Sequence, residues 1–166
     1  MQTTKSNNIY VGIDPGKSGG IAVLSDNSKR EPVLMKCPPT TREMADLLDV
    51  LIKVREDCSV FIVLEKVWAR PTNAVRTAFA MGRNYGEWLG VLESKHLSPI
   101  QTTPQIWQKM FKDMMGDEKY SYNEHKKRLK KIAEKLYPHS YIILATSDAL
   151  LIAHYCRYMF SKRRSS

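Results

Sequence analysis

Residues 59–65, with the sequence SVFIVLE, form a nearly continuous apolar run that ends in an acid. A run of this length without polar alternation predicts a strand that is buried on both faces. Two further apolar segments, residues 8–14 and 20–25, predict strands joined by the tight turn PGKSG, because proline and glycine suit turn positions. A strand buried on both faces needs cover on both sides, so the sequence favours a sheet packed between helices.

The remaining segments alternate between these two types. A third strand is predicted at 32–36 and a short one at 97–101, with a polar loop at 113–122. Helices are predicted at 40–57, 73–94, 103–111, 123–138 and 146–160, the last capped by Thr146 or Ser147. This order predicts one α/β domain over residues 1–166, with a mixed sheet and a basic disordered tail from about residue 161.

Charge restricts the partners of such a domain. Twenty-six lysines and arginines against 17 acidic residues give a formal net charge of +9. A small domain this basic usually binds a polyanion, most often nucleic acid; a membrane surface, or solubility alone, is the alternative. Three widely spaced cysteines argue against a disulfide framework and against zinc. No apolar run reaches the ~20 residues that span a bilayer, so we expect a cytoplasmic or other intracellular protein with no membrane partner.

Three carboxylates occupy unusual positions. Asp14 and Glu65 each end an apolar strand, and Asp148 lies in the first turn of an apolar helix. Each has an ordinary explanation: a turn for Asp14, an ion pair with Lys66 for Glu65, and the helix dipole for Asp148. If the strands are neighbours, however, the three acids converge and repel one another unless a cation separates them. Oxygen ligands suit Mg²⁺ or Mn²⁺, and two such ions about 4 Å apart can support phosphodiester cleavage.

The segments that carry these acids, GIDPGKSGGIAVL, VLEKVW and SDALLIAHY, resemble the acidic motifs of the RuvC-type Holliday-junction resolvases. The order and spacing agree from residue 9 to about 158. The resemblance implies a ribonuclease-H-like sheet of about five strands and a homodimer that nicks a four-way DNA junction symmetrically. It implies Mg²⁺ or Mn²⁺ as cofactor, two ions in number, with Asp14, Glu65 and Asp148 as metal ligands and catalytic residues. A phage, viral or bacterial-like member fits this short chain.

The chain departs from that pattern at one position. The resembled family carries an acid or histidine three residues before the last aspartate, and this chain has Ala145 there. A methyl group cannot bind a metal. Three readings stay open: three acids suffice, His139 or another residue substitutes, or the chain is an inactivated variant.

Basic and aromatic residues near these motifs are candidate DNA contacts. By the resemblance, Trp68 stacks on bases at the junction centre, with Arg70 and Arg76 in the flanking loop; alternatively, Trp68 only covers the edge of the core. The helix at 123–138 is rich in cations, which favours phosphate contact over a merely solvated face. Its proposed DNA-binding lysines are Lys126, Lys127, Lys130 and Lys131, and Lys126 resembles the active-site lysine of the family.

Two features of the helices remain. His154 follows Asp148 by six residues and is expected to be a core residue, not a ligand. Gly82 and Gly86 permit close helix packing, either on the sheet or, as the resemblance implies, across a two-fold dimer interface.

Three other functions are alternatives to a junction resolvase. The first is a nuclease of the same fold that acts on flaps or other branched DNA. The second is a junction-binding protein without catalysis, which Ala145 makes credible. The third is an actin-like kinase or sugar-phosphate enzyme, which would need further phosphate- and adenosine-binding segments that 166 residues do not accommodate.

Overall fold

The computed structural model describes residues 8–27, 30–54, 58–68, 74–116 and 118–162. The strands are β1 (Asn8–Asp14), β2 (Gly20–Ser25), β3 (Val33–Lys36), β4 (Ser59–Glu65) and β5 (Ile100–Thr102). The helices are α1 (Thr41–Val54), α2 (Val75–Ser94), α3 (Pro104–Gln108), α4 (Lys112–Met115), α5 (Tyr122–Leu136) and α6 (Leu144–Lys162), with a 3-10 helix at Lys109–Phe111. Within those residues, none of the helices combines the length and apolar character that crossing a membrane requires.

The five strands form one mixed sheet in the order β3-β2-β1-β4-β5. The first three strands pair antiparallel as a meander, whereas β1, β4 and β5 run parallel. The parallel pairs are joined through helices, as chain crossovers in such sheets require. The predicted mixed five-stranded α/β sheet is therefore confirmed.

Helices cover both faces of this sheet. Val11 and Ile13 of β1 face one apolar cluster, which includes Met44 and Leu48 of α1 and Trp88 of α2. Tyr10 of β1 faces the opposite cluster, which includes residues of α3, α5 and α6. This alternation explains the apolar runs in the sequence, because both faces of the central strands are buried.

The sheet and α6 approach each other at Gly12. A side-chain carbon at this position would overlap the backbone oxygen of Ala149 and the backbone nitrogen of Ala153. The missing side chain thus lets the backbone of α6 lie directly on β1. This contact fixes the position of α6 along β1, and therefore the position of the N-terminal part of α6 relative to the end of that strand.

Several boundaries differ from the predicted ones. The last helix begins at Leu144, so Thr146 and Ser147 are not its caps. Their hydroxyls donate instead to the carbonyls of Ile143, just before the helix, and of Leu144, its first residue. The predicted loop at 113–122 contains most of α4. The helix α6 extends to Lys162, so the predicted disordered tail is wrong for residues 161 and 162, and residues 163–166 lie outside the described part of the chain.

His154 lies in a partly buried hydrogen-bonded group. Tyr137 Oη lies 2.8 Å from His154 Nδ1, and Arg157 Nη2 donates to the same tyrosine oxygen over 3.2 Å. The tyrosine hydroxyl can therefore donate to an unprotonated ring nitrogen. Burial, and then the charge of Arg157, lower the pKa of His154 to about 4. The expected core role of this histidine agrees with these contacts.

This histidine predicts a pH dependence of stability. Between pH 4 and about 6.5 the unfolded chain binds a proton at His154 that the folded chain excludes, so the free energy of unfolding falls as the pH falls through this window. After discounting for partial solvent exposure, the loss is about 2 kcal/mol. We expect His154→Gln to remove this part of the pH dependence, measured by urea unfolding at pH 4.5 and 7.5. Equal pH dependence in the two proteins would show that His154 does not resist protonation.

Candidate functional site

The carboxyl ends of β1 and β4 bring two acids side by side. Ile13 pairs with Leu64 in the parallel register, so Asp14 and Glu65 follow as neighbours at the same sheet edge. The turn after Asp14 is held from α2, because Asn84 Oδ1 accepts a 2.7 Å hydrogen bond from the backbone of Gly16. The sequence pattern indicated the neighbouring strand ends but gave no sign of the Asn84 contact.

Asp148 reaches the same edge from α6, but because that helix begins at Leu144, Asp148 follows the first turn and does not lie in it as predicted. Its side chain is buried, and its charge is among those that raise the pKa of Asp14 and of Glu65. Two further glycine contacts hold this part of the fold together. A side chain on Gly19 would overlap the backbone of Asp14, and one on Gly20 would overlap the carbonyl oxygen of Ala145. These glycines give clearance within the protein itself, at the meeting point of β1, β2 and α6.

Lys126 of α5 completes the group with a positive charge. Its Nζ lies 3.3 Å from Asp148 Oδ2. The helix α5 begins in a capping box, in which Ser121 and Glu124 each bond the other's backbone N–H. Burial lowers the pKa of Lys126, but Asp148 and Asp14 outweigh it, and the pKa of the ammonium is raised overall. Lys126 is therefore a lysine early in α5 that contacts one of the acids. It is the residue that the sequence offered as the nearest candidate for the active-site lysine.

Burial and mutual repulsion both disfavour the charged forms of Asp14 and Glu65. Burial, then Glu65, then Asp148 raise the pKa of Asp14 well above its ordinary value, and Lys126 opposes them. Burial also raises the pKa of Glu65, to about 7, and the charge of Asp148 acts in the same direction. The hydrogen bond from Trp107 opposes this shift. When ionised, three carboxylates and one ammonium carry a formal charge of −2. Such a group attracts a divalent cation.

Trp107, in α3, was not identified from the sequence. It is fully buried, and its indole Nε1 donates to Glu65 Oε2 over 2.7 Å. The available signal was its position: it follows β5 closely, and β5 pairs with β4 so that Thr102 lies opposite Glu65. A side chain on a helix directly after that strand can reach the end of β4.

The donor chemistry at this edge fits a hard divalent cation. All three acids supply oxygen, the ligand that Mg²⁺ and Mn²⁺ prefer. Thr102, beside Glu65, adds a buried hydroxyl for which the described residues supply no hydrogen-bond partner. In the described part of the chain, no group of three or more Asp, Glu, His or Cys side chains is arranged so that it could hold a metal ion. Instead, Lys126 forms an ion pair with Asp148, and the indole N–H of Trp107 donates to Glu65.

The predicted DNA contacts are distributed unevenly. Trp68 is 48% exposed just beyond β4, and Arg76 is exposed in the first turn of α2. Arg70 lies outside the described residues. On α5, Lys127 and Lys131 are exposed, while Lys130 pairs with Glu134 over 2.6 Å. The basic helix therefore uses some of its cations within the fold and presents others to solvent.

The fold resembles known structures over nearly its whole length. The structure of Thermus thermophilus RuvC matches with a TM-score of 0.58 and 18% identity, covering 95% of this chain and 96% of that one. The chain has the RuvC fold. The structure of T. thermophilus RuvC in complex with Holliday junction substrate matches with a TM-score of 0.58 and 16% identity, covering 93% and 96% of the two chains. No protein-family model and no curated protein matches at the sequence level.

The comparison confirms the fold-level resemblance predicted from the acidic motifs. TM-scores of 0.58 over 95% and 93% of this chain establish a shared fold, and identities of 18% and 16% carry the likeness no further than the fold. Because one fold can support different activities, the chemistry of this chain rests on its own residues. In the RuvC fold of this chain, Asp14, Glu65, Asp148 and Lys126 converge at one sheet edge.

Proposed function

We propose that this chain is a divalent-metal-dependent endonuclease that resolves Holliday junctions by paired symmetric nicks. The observation that carries the proposal is the convergence of Asp14, Glu65 and Asp148 with Lys126 at the end of the central strands. The RuvC fold supports the substrate class, because a neighbour with this fold was solved with a Holliday junction. An intracellular location, in a bacterium or in a phage- or virus-infected host, follows from this function.

Each residue has a proposed role. Asp14, Glu65 and Asp148 hold Mg²⁺ or Mn²⁺, two ions by the resemblance. The cation supplies Lewis acidity and charge neutralisation for phosphodiester hydrolysis. Lys126, positively charged beside Asp148, limits the repulsion among the acids and is available to a phosphate oxygen. The resemblance implies products with a 5′-phosphate and a 3′-hydroxyl.

Exposed cations and an aromatic residue supply the proposed DNA interface. Lys127 and Lys131 extend the positive surface of α5 beyond Lys126, and Arg76 lies at the start of α2. Counterion release by such cations supplies much of the affinity for DNA and makes it salt-dependent. Trp68 follows Glu65 by three residues and exposes its indole, which suits stacking on a base near the cut. We include Arg70 and Lys130 in this interface on sequence grounds.

We also propose that α2 forms a homodimer interface. Its residues Val75 and Phe79 are 86% and 71% exposed. On the same face, a side chain on Gly82, Gly86 or Gly90 would meet no atom within 4 Å. An apolar stripe that continues into glycines permits close approach of a second α2, and isologous dimers are the commonest oligomers. Two copies would supply the two active sites that paired nicks require.

The dimer proposal predicts the effect of a charge in this stripe. We expect Phe79→Glu to give a monomer of 19.1 kDa where the wild-type protein has twice that mass, because the carboxylate would be buried without a partner. Light scattering after size exclusion measures both masses. The matched control is Val50→Glu, which places the same charge at an exposed valine of α1 and should leave the mass unchanged. A wild-type monomer, or a dimeric Phe79→Glu protein, would contradict this interface.

The function is tested by a panel of DNA substrates. A labelled four-way junction, a flap and a linear duplex are incubated with the protein in Mg²⁺ and in EDTA. Nicking of the junction only with Mg²⁺ supports the proposal. Preferred cleavage of the flap would favour the branched-DNA nuclease of the same fold. Equal, salt-sensitive binding of junction and duplex would exclude structure selectivity.

Ala145 favours a second candidate function, a junction-binding protein that does not cut. Its carbonyl oxygen approaches Gly20, so the position lies beside the strand end that pairs with Asp14. A methyl group there supplies no ligand. His139 is exposed in the turn between α5 and α6. Tight junction binding without cleavage, converted to cleavage by Ala145→Asp, would identify an impaired nuclease, whereas cleavage by the wild-type chain would show that three acids suffice.

A further inference from the structure

Trp107 is locked in place by the core on one side of the sheet. It is 0% exposed, and its ring meets Phe111 edge to face, with centroids 6.2 Å apart. It belongs to the apolar cluster that includes Leu150 and Ala153 of α6. A large ring packed in this way has no room to change rotamer.

The polar edge of this ring points at Glu65. The indole Nε1 donates to Glu65 Oε2 over 2.7 Å. An indole N–H can only donate, so its partner must be an acceptor. A partly buried, charge-assisted hydrogen bond of this length is among the stronger ones in proteins. It fixes one oxygen of Glu65 and with it the direction of the other.

We propose that Trp107 is a positioning residue that orients Glu65 for metal binding. The inference rests on the proposed function, because it assigns Trp107 to the same metal site. Partners that orient a ligand from outside the metal shell change metal affinity by about 10–100-fold when they are replaced. Trp107 acts through Glu65 and does not touch the metal or the DNA.

The chain provides a matched control in Trp88. This residue is also 0% exposed, and its Nε1 also donates a hydrogen bond, over 3.3 Å to Cys37 Sγ. It packs in the cluster on the opposite face of the sheet. If Trp107 served only to fill the core, the Phe variants of both tryptophans would have the same kind of effect.

The test is Mn²⁺ binding to the full-length protein, measured by calorimetry without DNA. We expect Trp107→Phe to weaken Mn²⁺ binding by about 10–100-fold. Trp88→Phe should lose comparable thermal stability but keep its Mn²⁺ affinity within about 2-fold, since its indole N–H donates to Cys37 and not to one of the three acids. In a Glu65→Gln background, Trp107→Phe should cause no further loss, because the oriented carboxylate is already gone.

The outcomes separate the inference from the proposed function. If the wild-type protein binds no Mn²⁺, both fail. If it binds Mn²⁺ and Trp107→Phe binds equally well, the positioning role is wrong and the metal site stands. Should Trp107→Phe not fold, 3-benzothienylalanine at position 107 decides, because it keeps the two-ring shape and removes only the N–H donor. Unchanged affinity in that protein would overturn the proposal in the same way.

Discussion

Asp14→Asn is expected to reduce metal-dependent junction cleavage by at least ~10³-fold, since losing a direct ligand should cost more than the 10–100-fold that losing an outer partner costs. The substitution keeps the shape of the side chain and removes its charge. Burial and the neighbouring charges of Glu65 and Asp148 already disfavour that charge in the absence of metal. We therefore expect the thermal midpoint to be unchanged or higher than in the wild-type protein. Cleavage rate and thermal melting together measure both effects.

A control and a binding assay complete this prediction. Asp46→Asn removes an exposed carboxylate from α1 and should alter neither cleavage nor melting. Asp14→Asn should still bind the four-way junction in a gel-shift assay in EDTA, because the proposed DNA contacts are elsewhere. Wild-type cleavage by Asp14→Asn would exclude a ligand role. Loss of folding would return Asp14 to the role of a turn residue.

Gly12→Ala is expected to destabilise the fold strongly. The added methyl group would overlap the backbone of α6 at Ala149 and Ala153, and backbone atoms cannot rotate away as a flexible side chain can. Overpacking a rigid contact of this kind costs about 3 kcal/mol or more, which corresponds to about 10 °C in the thermal midpoint for a domain of this size. Because α6 carries Asp148, the displaced helix should also weaken Mn²⁺ binding.

Asp46→Ala is the control for Gly12→Ala. It places an alanine at an exposed interior position of α1, away from the acids and from the proposed dimer interface. Alanine favours a helix over aspartate by up to ~0.7 kcal/mol, so this variant should melt at the same temperature or higher. Differential scanning calorimetry distinguishes the two. Equal midpoints for Gly12→Ala and Asp46→Ala would show that α6 does not pack on β1 through Gly12.

The neighbouring positions of Asp14 and Glu65 were predictable because they depend on a local signal. Apolar runs that end in acids predict buried strands, and parallel strands in register carry their ends to one edge. Asp148 was singled out as an acid near the start of an apolar helix, but the predicted first-turn position was wrong because the helix starts two residues earlier than expected. The resemblance of these motifs to the RuvC-type resolvases predicted the fold, which the structural comparison confirms.

Other features depend on packing that local sequence does not encode. The hydrogen bond from Trp107 requires β5 to pair with β4 and α3 to turn back over the sheet. The contact of Asn84 with Gly16 joins residues 68 positions apart. The role of Gly12 follows only from the position of α6, because a glycine inside a strand has several possible explanations.

A supercoiled plasmid that extrudes a cruciform tests the central claim most directly. The cruciform is a four-way junction, and paired symmetric nicks across it convert the circle into linear DNA, whereas a single nick gives an open circle. We predict linear DNA in Mg²⁺, none in EDTA, and none with Asp14→Asn in Mg²⁺. Open circles alone, or a bound but intact plasmid in Mg²⁺, would contradict the assignment of this chain as a junction resolvase.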